Sequence, residues 1–341
     1  MPSVYTVLGP IDAATLRGVL PHEHLLSLTP GRWMKGGQGD LIQQQIDLAV
    51  TALSGLAEQG INTIVDLSPY GVVGRNDDGS NVSLLQEISR RSELHIVAGS
   101  AIYLEAMSPR WTLEADLAAV TSRFINDAAG IGPGTVAAGV FGEQATSLDK
   151  ITPHEEKCLR AAARAAKATG RALFTHTTHG TMALEQVAIV RQEHLDLSRV
   201  VIGHMDTHHD LNYVRAVLDT GVNIAFDTIG KVVWDFFLGP PKTPRIDGPF
   251  IKNAYHQSDL QRARWLVQLV ADGFQDRILL SQDLTGSEVY LNPDTHGYSG
   301  YSYLGGRFTT LLYGLGVEYR QLKQMMHENP MKLLSISTDL P

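Results

Sequence analysis

Along the chain, short runs of β-branched and other apolar residues alternate with longer stretches in which Ala, Leu, Gln and Arg recur at helical spacing. This is the pattern of βα units feeding a parallel sheet. Eight strands are predicted, at residues 17–24, 63–68, 95–103, 136–143, 172–177, 200–205, 223–229 and 278–284. Helices are predicted between them, among others at 41–59, 113–127, 153–169, 181–194, 212–220 and 259–272. One carries its own punctuation: Thr152 can cap it, Pro153 fits its first position, Glu155 completes a capping box and Gly170 ends it. Eight such units read as an α/β fold, a single (β/α)8 TIM barrel spanning residues 1–341 as one domain, preceded by a short N-terminal β-hairpin across 4–20 with its turn near Asp12. A doubly wound dinucleotide-binding sheet would need G-x-G-x-x-G after the first strand, where this chain has Pro21-His22-Glu23-His24. Two connections are long enough to expect function of them, 231–255 after the seventh strand and 286–306 after the eighth.

Composition narrows the partners. Apolar residues make up 43% of the 341 positions, enough for a large core, and 28 Lys+Arg against 36 Asp+Glu leave a net charge of −8. Nucleic-acid and anionic-lipid footprints are basic, so a small-molecule substrate is the better expectation, with neither nucleic acid nor membrane as partner. The single cysteine, Cys158, excludes an internal disulfide framework and a Cys-rich zinc module, and among Ala and Leu neighbours it reads as a small buried hydrophobe. Every apolar run falls short of the ~20 residues of a membrane helix, and the first residues show no basic-then-apolar leader pattern. A cytoplasmic protein is expected.

The thirteen histidines stand out. His22 and His24 form an H-x-H pair on a strand, where alternation puts both on one face within reach of one ion. In a chain this rich in histidine, about 0.5 such pairs arise by chance, so position must decide. Position is favourable: Glu143 closes the fourth predicted strand, His176 the fifth, His204 lies near the end of the sixth and Asp283 near the end of the eighth. In a barrel these strand ends converge on the face where active sites are built. Four neutral imidazoles, one carboxylate placed to bridge and one terminal carboxylate suit two divalent ions of borderline softness, zinc or manganese. With Glu143, Asp283 and a bridging hydroxide against two dications, the site keeps a net positive charge of about one and can polarise an electron-rich oxygen.

Six segments carry a resemblance: PHEHL at 21–25, AGVFGE at 138–143, FTHT at 174–177, GHMD at 203–206, FDTIGK at 226–231 and LLSQD at 279–283. In order and spacing they resemble the phosphotriesterase family of the amidohydrolase superfamily, over essentially the whole chain to HENP at 327–330. The resemblance implies a binuclear metal barrel in which His22, His24 and Asp283 hold the more buried ion, His176 and His204 the more exposed one, and the strand-four residue bridges both. Many phosphotriesterases and related lactonases carry a carboxylated lysine at that last position. Here it is Glu143, with no lysine before Lys150, which resembles the branch of phosphotriesterase homology or phosphotriesterase-related proteins and needs no carbon dioxide to supply its charge.

A metal-dependent hydrolase is therefore expected, in which a metal-bridging hydroxide attacks the substrate and Asp283 takes the proton towards the leaving group. Tyr103 matches a tyrosine that related lactonases place beside the metals, and could hydrogen-bond the substrate carbonyl or leaving oxygen. A carboxylic ester or lactone is the expected substrate; an N-acyl amide or a phosphotriester is the alternative on the same site, and an inactive metal-binding scaffold is the non-enzymatic one. Arg75 could meet an anionic substrate, Trp234 an apolar group, and Lys231, Lys242, Arg245 and Lys252 a phosphate or carboxylate. Asp206 could orient His204 or a pocket group. His179 is expected beyond the strand, and His208 and His209 in a solvent-exposed loop. The family also implies a homodimer.

Overall fold

The computed structural model describes residues 2–28, 38–231, 233–237, 252–286 and 300–336. Strands β1 (Ser3–Thr6) and β2 (Gly9–Asp12) form an antiparallel hairpin. Eight strands then make one parallel sheet: β3 (Gly18–Glu23), β4 (Ile61–Asp66), β5 (His95–Ser100), β6 (Ala138–Thr146), β7 (Leu173–Thr177), β8 (Val200–Ile202), β9 (Asn223–Phe226) and β12 (Ile278–Leu280). Each pairs with its predecessor, and the sheet curls until β12 meets β3, giving a nearly closed barrel. Between β9 and β12 lies a second hairpin, β10 (Val233–Phe237) with β11 (Lys252–His256). All eight predicted barrel strands are present, most of them shorter than expected at one end.

The barrel is filled as its strand alternation demands. Val19, Val65, Val97, Val140, Phe174, Val201, Ala225 and Leu279, one from each strand, form a single buried cluster that Val4, Leu16 and Leu333 extend. Their neighbours Leu20, Ile64, Ile96, Phe141, Leu173, Ile202, Ile224 and Leu280 point the other way, against the helices. The chain ends meet as well, since Ser3 and Ile336 exchange backbone hydrogen bonds.

Among the helices, Pro153–Thr169 forms as predicted, with Thr152 and Glu155 in a reciprocal capping box and Gly170 in the left-handed region at φ 69°. Three expectations are corrected. The N-terminal turn lies at Val7–Leu8, not near Asp12, because the Asp12 side chain instead caps the short 3-10 turn Ala13–Thr15 by accepting from Ala14 N. The helix expected at 41–59 runs over Gln38–Ala52, and Gly55 at φ 85° separates it from a 3-10 turn, Ala57–Gln59. The helix expected at 113–127 is two, Arg110–Glu114 and Leu117–Ala128, divided where Asp116 caps the second. No helix among the described residues is long and apolar enough to cross a membrane.

Candidate metal centre

Filling the barrel with Val19 and Val140 sets a phase that, continued, would turn His22, His24 and Glu143 away from the axis. Two register shifts correct it. One lies between Leu20 and Glu23 on β3, the other between Phe141 and Gln144 on β6, and each behaves as a bulge that re-aims the following side chains. On β7 no correction is needed, since Phe174 and His176 share a face. His204 follows the short β8 in the left-handed region at φ 58°, and Asp283 follows β12 at φ 51°. For non-glycine residues such backbone costs about 1–3 kcal/mol and persists where surrounding contacts over-determine it. Gly203 permits the close approach beside His204, because any side chain there would collide with the Thr175 carbonyl.

The result is one buried cluster. His24 Nε2 lies 2.8 Å from Asp283 Oδ1, and His22 Nε2 lies 3.6 Å from the same oxygen. Glu143 stands in the middle, Oε2 at 3.3 Å from His22 Nε2, 3.1 Å from His176 Nδ1 and 3.4 Å from His204 Nε2, and Oε1 at 3.4 Å from His24 Nε2. All six residues proposed from the sequence as ligands are thus brought together. Tyr103 joins them, its hydroxyl 3.3 Å from the His176 ring nitrogens.

Three carboxylates and a lysine surround the six, and of these Asp227 and Glu23 were not assigned a role from the sequence. Asp227 accepts from both His22 Nδ1 (2.7 Å) and His204 Nδ1 (2.9 Å), which fixes the tautomer of each and turns each Nε2 inward. Asp206 was expected to orient His204 or a pocket group. It binds Thr228 and Arg262 and accepts from the backbone N–H groups of Asp227 and Thr228, so it holds the segment that carries Asp227. Glu23, between the two strand-one histidines, points into the seam with β12. Lys231, expected among residues receiving a substrate anion, is buried and donates to Asp283 Oδ2 at 2.7 Å. A signal for Asp227 was present: it has the same parity as Ala225, whose side chain lies inside the barrel.

Arg75 is buried away from the cluster, donating to the carbonyls of Ser68 and Gly99 with its guanidinium 4.3 Å from the Tyr70 ring centre. Trp234 lies on β10, and Lys242 and Arg245 lie outside the described residues. His208 is not solvent-exposed as expected: it is buried between His209 and Tyr213, ring centres 4.5 Å and 4.2 Å away, whereas His209 is exposed. His179 lies past the strand, in the 3-10 turn Thr178–Gly180. Cys158 is buried as expected, and burial pushes its thiol up to about 12, far from a reactive thiolate.

The donor set suits a dication. His22 Nε2 is buried without a hydrogen-bond partner although two carboxylate oxygens face it, an arrangement costly for a polar atom and natural for a ligand. Three groups of ligating atoms, His22/His24/Asp283, Glu143/His176/His204 and His22/His204/Asp227, each fall within 4.8 Å. Electrostatics agree. Burial opposes charge throughout, yet the His204 and His22 charges hold Asp227 down to about 2, and the His22 and His176 charges hold Glu143 well below the carboxylate range. Against the same burial, Asp283 and Glu143 bring His24 up to about 9, Asp227 and Glu143 bring His204 up to about 10, and Asp227 with Glu143 raises His22 strongly.

Residues 2–334 match the model of the phosphotriesterase family. The chain belongs to the phosphotriesterase family. Within that family it is 29% identical to the phosphotriesterase homology protein of Escherichia coli over 82% of this chain and 85% of that one. It is 25% identical to the N-acetyltaurine hydrolase of Dictyostelium discoideum, over 91% and 80% of the two chains. A mutant phosphotriesterase-like lactonase from Deinococcus radiodurans superposes with a TM-score of 0.78 at 26% identity, covering 97% of this chain and 99% of that one.

Because ligating imidazoles must be neutral, filling the centre at pH 7 is expected to expel about three protons per chain from His22, His24 and His204, beyond any that a metal-bound water releases. Calorimetric zinc titrations in buffers of different ionisation enthalpy measure this number, and a value near zero would contradict the protonated cluster. The sign for stability follows from the raised values. In the metal-free protein these pairs stabilise fully below about 6.5, and that contribution is lost as pH rises through about 9 to about 10.

Proposed function

We propose that this protein is a metal-dependent hydrolase with two divalent ions, zinc or manganese, acting on a carboxylic ester or lactone. The observation that carries the reading is the buried set of four imidazoles around Glu143, closed by Asp283. His22, His24 and Asp283 would hold one ion, His176 and His204 the other, with Glu143 between them. Ions in such a centre supply acidified water and a polarising charge. The chain's own groups do the rest. Asp283 accepts a proton through the oxygen that faces the histidines and delivers it to the leaving group, while Lys231 steadies the other oxygen. Tyr103, raised well above its ordinary value by burial and by Glu143 and Asp283, stays a phenol and donates to the substrate oxygen. The likeness to a lactonase supports this substrate class. An N-acyl amide is the second reading, supported by the N-acetyltaurine hydrolase relative.

Proton release from zinc- or manganese-loaded protein is the test, with lactones, linear esters, N-acyl amino compounds and phosphotriesters as substrates. Turnover of lactones or esters, abolished by chelator and restored by metal, is the expected result. Turnover confined to N-acyl compounds promotes the second reading, and silence across all four classes with both ions bound overturns the hydrolase.

A further inference from the structure

Glu23 is fully buried beside the metal centre, and the chemistry above gives it no task. It lies between His22 and His24, so strand alternation sends its side chain out of the barrel just where theirs enter. That exit is the seam between β3 and β12, which the regular ladder does not close. Three donors of the β12 side converge on the carboxylate there: Ser281 Oγ (2.8 Å) and Gln282 N (3.0 Å) on Oε1, and Leu284 N (2.8 Å) on Oε2. Gln282 and Leu284 flank Asp283, whose own N–H donates to the His22 carbonyl at 3.0 Å.

We propose that Glu23 is a positioning residue that sets the distance between the two histidines and Asp283, and so tunes the affinity of the His22/His24/Asp283 ion alone. The inference rests on the metal-centre reading. Its physical basis is that one rigid carboxylate grips the backbone on both sides of Asp283 while lying between the two histidines in the chain. Asp283 occupies left-handed backbone, which needs such neighbours to persist. The second group, Glu143/His176/His204, sits on β6, β7 and the turn after β8 and takes no bond from Glu23. An amide in place of the carboxylate keeps the volume but presents an NH2 to one of two backbone donors, so one flank of Asp283 must shift.

The test is zinc retained per full-length chain across graded EDTA, by mass spectrometry, with the visible bands of cobalt-substituted protein as a second readout. Wild-type protein is expected to hold two ions. Glu23→Gln is expected to lose one at a roughly 10–100-fold lower chelator strength, the usual effect of disturbing a ligand's supporting partner, while keeping the other. Retention of both ions at wild-type EDTA, or loss of both in step, overturns the proposal, because a merely structural residue would weaken the two alike. If Glu23→Gln does not fold, Glu23→Asp, which keeps the charge but shortens the reach to the Gln282 and Leu284 N–H groups, must show the same order of loss. Wild-type protein that binds no zinc overturns the metal reading itself.

Discussion

Replacing Asp283 with Asn is expected to lower kcat/KM by roughly 10²–10⁴-fold, the range associated with loss of a positioned proton acceptor. The carboxylate has two faces with different duties. Oδ1 meets His24 and approaches His22, whereas Oδ2 accepts from the buried Lys231 ammonium. The Lys231 charge, with the hydrogen bond from His24, overcomes burial and holds the carboxyl well below the ordinary carboxylate range. Asparagine preserves the shape yet removes both the proton acceptor and the charge. It also takes away the carboxylate charge that faces the buried Lys231 ammonium, and breaking a buried pair from one side costs about 3–5 kcal/mol. A fall in melting temperature should accompany the loss of turnover. Turnover and metal content must be measured together; full metal with near-wild-type turnover would remove Asp283 from proton transfer.

Asp227→Asn should produce the second large effect, and of a different kind. The Asp227 carboxylate is shared by His22 and His204, which in the proposed centre would hold different ions, so its loss should reach both. An amide can accept from only one of the two Nδ1–H groups and sets its NH2 against the other. Ligand orientation and imidazole basicity both suffer, and affinity for each ion should fall roughly 10–100-fold. Chelator competition on the variant measures this directly. Loss confined to one ion, or unchanged retention of both, would show that Asp227 does not serve the two histidines as their common partner. The contrast with Glu23→Gln, expected to release one ion only, separates the shared carboxylate from the seam carboxylate.

Much of this site could be read before any coordinates, and the reasons differ by residue. His22 and His24 flank Glu23 at the end of β3, so their common face follows from local alternation. His176, His204, Glu143 and Asp283 were found because barrel strands deliver their ends to one face. Asp227 escaped notice although it sits in FDTIGK, because its partners His22 and His204 lie 205 and 23 residues away and only barrel closure unites them. Lys231 reads as a receiver of a substrate anion because it opens a long connection, yet its side chain turns back onto Asp283, 52 residues on. Arg75 looked available because it lies in a loop, but the Ser68 and Gly99 carbonyls take its guanidinium inside the fold.

The sequence by itself determined the number and order of the barrel strands, though not the β10–β11 hairpin, together with the capped helix from Pro153 to Thr169 and the residue types of the metal centre, because apolar periodicity, capping chemistry and ligand preference act over a few neighbouring positions. Tertiary structure alone decided which way the ligands face. The phase set by Val19 and Val140 would have turned His22 and Glu143 outward, and register shifts against the adjoining strands turn them in. It alone decided the second carboxylate that clasps His22 and His204, and the seam at which Glu23 grips the flanks of Asp283. A register shift and a closing seam are properties of strands paired across the barrel, and neither leaves a trace in the spacing along one strand.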